Sequence, residues 1–155
     1  MVSENIKKLE SYQKQGFLFH GSPFEISKNI EPRKASDADA SHKFNNDLAV
    51  FASDDYRMTI IYSLMNFSIL PMFNGASCSV GRDHQNNIVA NLPHEWKDVI
   101  EKTIGYVYIL PKDSFKETDG LQWKSKEPVV PLERLTVSLQ DFTSLKGRIK
   151  WSPKT

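Results

Sequence analysis

The 155-residue sequence predicts an α+β protein, and three observations carry that expectation. Short apolar runs with strand character, Tyr106–Leu110 (YVYIL) and Leu132–Leu139 (LERLTVSL) above all, alternate with segments of helical spacing. The two kinds of pattern are interleaved rather than segregated, so a mixed sheet with flanking helices is expected. No repeat and no second domain shows along the chain. One domain over 1–155 is therefore expected, with a core over about 17–142 and a C-terminal tail over about 143–155.

Ser3 to Gln15 reads as a helix, with Ser3 as N-cap, Ile6, Leu9 and Tyr12 on one side and Gly16 as its end. Phe17–Phe19 is a short buried strand, and His20 stands at its end before Gly21, Ser22 and Pro23. Ala35 to Asn46 is small, polar and turn-rich, which suits a surface loop over a site. Leu48–Ala52 is a second strand. Ser53 then reads as the N-cap of a helix with Met58, Ile61, Tyr62 and Met65 facing inward. Ala76–Val80 and Ile88–Leu92 flank a turn-rich GRDHQNN and form a hairpin with His84 at its tip. Pro93 opens a helix to about Lys102 with Trp96, Val99 and Ile100 inward, and Gly105 ends it. Lys112–Gly120 is a charged turn, Gln122–Pro131 is extended, and Asp141 onward is a turn and tail.

The net charge is +1, so bulk electrostatics give no support to duplex-DNA binding, although a local basic site is compatible with it. The one cysteine, Cys78, cannot form an internal disulfide and reads as a small core residue. Four histidines and one cysteine give no metal-binding spacing, and no Walker loop, HExxH pair or GxSxG elbow is present. Without an N-terminal apolar segment or a long apolar run, a cytoplasmic protein with no membrane partner is expected.

Four strand-end segments occur in order: LFHGSP, AVFASDD with its helix, GYVYILPKDSF, and SKEPVVPLERLTV. In order and local texture they resemble the ADP-ribosyltransferase superfamily, including poly(ADP-ribose) polymerases, the small rifamycin-modifying enzymes and the RNA 2′-phosphotransferases. The resemblance covers roughly residues 17–138 and implies a mainly antiparallel split β-sheet with flanking helices. It implies NAD as substrate and an acceptor that is a protein, a nucleic acid or a small molecule. His20, Gly21 and Ser22 match the family's His-Gly-Ser/Thr motif, which holds the adenosine ribose while neighbouring backbone groups bind the nicotinamide amide.

Phe51, Ala52 and Ser53 match the family's aromatic strand, but Val50 stands where the nicotinamide-stacking Tyr usually is. Tyr62 on the following helix is the candidate replacement ring, with Tyr56 behind it. The acid that stabilises the ribosyl transition state is Glu127, with Glu117 or Asp119 as the competing positions. Arg33 is placed to meet a pyrophosphate. Three functions follow. The first is ADP-ribosyl transfer, with His20 and Glu127 as catalytic residues. The second is a silent module that binds NAD, ADP-ribose or an RNA end. The third is a non-enzymatic interaction protein with His20 as a turn residue.

Overall fold

The computed structural model describes residues 3–32, 48–71, 77–118 and 122–153. These form four α-helices, one short 3-10 turn and nine strands in mixed order, an α+β architecture as expected. Helix α1 spans Glu4–Lys14. The Ser3 hydroxyl accepts the Ile6 N–H as N-cap, and Gly16 follows with φ 91°, a conformation glycine adopts at no steric cost.

Strand β1 spans Leu18–Ser22, β2 Val50–Ala52 and helix α2 Tyr56–Ser63. The expected hairpin is present as β3 (Ser79–Arg82) and β4 (Ile88–Leu92). A 3-10 turn His94–Trp96 leads into α3 (Lys97–Lys102). Then come β5 (Gly105–Leu110), β6 (Phe115–Glu117), β7 (Trp123–Ser125), β8 (Glu133–Val137), α4 (Leu139–Ser144) and β9 (Arg148–Trp151).

The strands make three sheets, ordered β1-β5-β8, β2-β7-β6 and β3-β4-β9. All neighbouring pairs are antiparallel except β4 with β9, which is parallel. The first two sheets are joined by one bridge, Phe19 with Ser53, which exchange N–H···O bonds of 2.8 Å in both directions.

The first sheet is buried on both faces. Phe19, Val107, Ile109 and Leu135 point into a cluster with Ile6, Leu9, Ile60, Ile61 and Trp96. Leu18, Tyr108 and Leu110 alternate to the other face and meet Val50, Ala52, Phe115 and Val129 of the second sheet's region. Helix α2 lies on β1 and β5 through two glycines. A Cβ on Gly21 would fall 2.7 Å from the Thr59 carbonyl oxygen, and one on Gly105 would fall 2.7 Å from Ser63 Cβ. Gly105 therefore begins β5 and seats Ser63, rather than ending a helix.

Several local expectations are corrected. β1 continues through His20, Gly21 and Ser22, because those residues pair with Tyr108, Val107 and Tyr106. The N-cap of α2 is Asp55, whose carboxylate accepts the Arg57 N–H. Ser53 instead makes a local turn, accepting from the Asp55 N–H at 3.0 Å. Tyr62 is 43% exposed, since α2 buries residues on nearly every side and leaves that position outward. Cys78 is exposed. The segment from 112 to 118 contains β6, and the segment from Asp141 onward contains most of α4 and all of β9.

Helix α1 is clasped to β8. Asn5 Nδ2 donates to the Thr136 carbonyl at 2.8 Å, Lys8 pairs with Glu133 at 2.9 Å, and Tyr12 donates its hydroxyl to the same carboxylate at 2.5 Å. Beneath α2 a second network centres on Asp55, which receives Arg57 at 3.0 Å and Arg82 at 2.9 Å. Burial alone would raise the Asp55 carboxyl. Hydrogen bonds and charge from Arg57, with a further hydrogen bond from Arg82, outweigh it and hold the group below its ordinary value. Among the described residues no helix is long and apolar enough to cross a membrane.

Candidate functional site

The joint between the first two sheets is a fork. Beyond the Phe19–Ser53 bridge an antiparallel ladder would next pair Gly21 with Phe51. That rung is not made. The Phe51 carbonyl instead meets His20 Nδ1 at 2.7 Å. A carbonyl only accepts, so Nδ1 carries the proton, and in the neutral ring Nε2 holds a lone pair. The imidazole thus stands in the fork with its tautomer set by β2. Its ring lies 6.4 Å from that of Tyr108, its pairing partner on β5.

Backbone alternation places a second feature beside it. Both polar groups of Phe19 face Ser53, those of His20 face β5, and those of Gly21 face the fork again. One N–H and one C=O of the same residue therefore point toward the space where the two sheets diverge. An adjacent donor and acceptor of this kind match a primary carboxamide. Gly21's missing Cβ serves the approach of α2 rather than that of a ligand.

The remaining sequence-derived residues fall into three groups. Ser22 is buried, and its hydroxyl accepts the Phe24 N–H at 3.0 Å, so it shapes the chain leaving β1. Ser53 belongs to the bridge that starts the fork. Phe51 supplies the carbonyl that holds His20, and its ring lies on the opposite face of β2 from Val50.

Val50 is 1% exposed within the second core cluster, so a ring at that position would point into the core. Tyr56 is also buried, packed edge-on against Phe19 with centroids 6.1 Å apart. Tyr62 lies one helical turn from Thr59, whose carbonyl faces Gly21, and is 43% exposed. Arg33, Asp119 and the 35–46 loop lie outside the described residues.

Strand order separates the two described acids. Glu127 follows β7, the neighbour of β2, by two residues, whereas Glu117 is on β6, one strand farther out. Two strand spacings put Glu117 about 10 Å from the β2 backbone, against about 5 Å for β7. The turn bearing Glu127 is pinned by Ser125, which is fully buried. The Ser125 hydroxyl accepts the Glu127 N–H at 3.2 Å, donates to its carbonyl at 2.9 Å and lies 2.7 Å from Ser114 Oγ. The Glu127 side chain itself is exposed. Ser125 is a positioning residue that sequence reasoning missed; its only signal was its place two residues before Glu127.

A shallow groove of about 400 Å³ lined by Glu101, Leu139, Thr143, Arg148 and Trp151 contains none of these residues. Among the described residues no cluster of His, Cys, Asp and Glu is arranged to hold a metal ion. Comparison with family models, with characterised proteins and with solved structures finds no match to this chain.

Proposed function

We propose that the fork between the first two sheets binds NAD and that the protein transfers its ADP-ribosyl group. The observation that carries this reading is the unmade Gly21–Phe51 rung, which leaves an N–H and a C=O of Gly21 facing the same space as the tautomer-fixed His20. The nicotinamide carboxamide offers the matching acceptor and donor, and a ribose hydroxyl can donate to His20 Nε2. Tyr62 supplies the aromatic face that Val50 does not. Glu127 supplies the negative charge that favours a ribosyl group developing positive charge at C1′. The C1′–N1 bond breaks and its electron pair leaves with neutral nicotinamide. The acceptor's nucleophile bonds to C1′ and loses a proton to solvent.

The test is thermal unfolding with NAD, followed by assay of released nicotinamide. At about 100 times its dissociation constant a ligand stabilises the fold by roughly 2.7 kcal/mol. Wild type should shift and release nicotinamide. His20→Ala should lose the shift, and Glu127→Gln should keep the shift but lose release. Tyr62→Ala alters an exposed residue, so its loss of the shift would not reflect misfolding. An unshifted wild type would overturn the reading. A His20-dependent shift without release would favour a silent binding module, which the core-facing Val50 also suits.

A further inference from the structure

The Phe51 carbonyl meets His20 Nδ1 at 2.7 Å, which sets the tautomer of the imidazole. A single hydrogen bond lets a ring swing about the N–H···O axis, so its plane is fixed by what lies against its face. Strand β5 supplies such a neighbour. Tyr108 is the direct antiparallel partner of His20, which puts both side chains on the same face of the first sheet. Their ring centroids lie 6.4 Å apart at 50°, within the range of an aromatic pair. Tyr108 is itself firmly held. It is 1% exposed and belongs to the second core cluster with Leu18, Leu110 and Val50. Its hydroxyl accepts the Ile26 N–H at 2.5 Å and donates to the Phe24 carbonyl at 3.3 Å, so its proton and one lone pair are both engaged. The Phe24 N–H is taken by the Ser22 hydroxyl. The chain that leaves β1 after His20 is thus fastened to the same side chain that backs the imidazole.

We propose that Tyr108 is the positioning residue of the fork, holding His20 in the tautomer and ring orientation that direct Nε2 at a ribose hydroxyl. The link to ribose rests on the reading of the fork given above, whereas the hold on His20 rests on the two rings alone. Tyr108 touches no ligand in this role and acts through His20. Its two parts have separate tasks. The ring gives the imidazole a flat neighbour, which a phenylalanine would also give and a leucine would not. The hydroxyl satisfies Ile26 and Phe24, and its loss leaves a buried donor and acceptor unpaired, a cost in stability rather than in orientation. A tyrosine that served packing alone would lower stability on either substitution and leave the imidazole as it is.

The experiment is nitrogen NMR of the imidazole in wild type, Tyr108→Phe and Tyr108→Leu, with a thermal-shift titration of NAD on the same samples. Wild type should show His20 protonated at Nδ1 alone, with nuclear Overhauser contacts between the two rings. Tyr108→Phe should keep both signals while lowering Tm. Tyr108→Leu should show both tautomers. It should raise the NAD concentration for a half-maximal shift at least about tenfold, against less than about threefold for Tyr108→Phe. A folded Tyr108→Leu that keeps the Nδ1 form alone would overturn the role. So would the absence of ring-to-ring contacts in wild type, a result that no misfolded variant can imitate. Two tautomers in Tyr108→Leu with no NAD shift in wild type would leave Tyr108 as the positioning residue and sink the fork's assignment. A wild-type NAD shift that survives Tyr108→Leu with the tautomer unmoved would do the reverse.

Discussion

The two sheets that meet at Phe19 and Ser53 are built in opposite ways. β1-β5-β8 is covered on both faces, by α1 and α2 on one side and by the second cluster on the other. β2-β7-β6 is covered by that cluster on one face, and its other face carries Phe51, Lys124 and Lys116. The first sheet has no tolerance for added atoms along α2, while the second has side chains that contribute little to the core. The contrast teaches where a site can form. A residue such as His20 is held to a fixed place by the packed sheet and is oriented by a carbonyl of the second one. Rigidity and access come from different neighbours.

The contrast can be broken most severely at Gly105. A Cβ there collides with Ser63, so Gly105→Ala should lose roughly 3 kcal/mol in urea unfolding. Ser63→Gly in that background should recover part of the loss, because the colliding atoms are its own. Lys116→Ala, on the open sheet, should leave the same measurement unmoved.

A somewhat smaller effect is expected at Asp55. Asp55→Ala removes a cap and leaves Arg57 and Arg82 without their counter-charge, which should cost roughly 2–3 kcal/mol at neutral pH. Because the folded carboxyl titrates below its unfolded value, its stabilisation is present above the unfolded value of 3.8 and is lost as pH falls through the folded one. The stability gap between Asp55→Ala and wild type should therefore narrow in acid below that value. The smallest effect should come from Glu133→Gln. It weakens an exposed pair with Lys8 while keeping an acceptor for Tyr12, and should lower Tm less than either substitution above.

Legibility in the sequence followed how local each signal was. Helix α1 with its Ser3 cap, the YVYIL strand and the β3–β4 hairpin are written in adjacent residues, and each is present. β6 was hidden because only Phe115 of its three residues is buried. β9 was hidden because it pairs in parallel with a strand far away in sequence and alternates only between exposed and half-buried positions. The strand through His20 looked shorter than it is, since Gly21 and Ser22 read as a turn until β5 pairs with them. His20 and its neighbours were legible as a motif. The reason His20 meets the Phe51 carbonyl was not, because it depends on a ladder that stops after one rung.

The clasp between α1 and β8 has a meaning beyond packing. β8 ends its sheet, and an end strand displays backbone groups that a strand from another molecule can adopt. Asn5 occupies the Thr136 carbonyl, and Lys8 and Tyr12 place a charged pair next to it at Glu133. The helix thus occupies part of that end strand with its own side chains, the kind of cover that leaves fewer backbone groups for another strand to pair with.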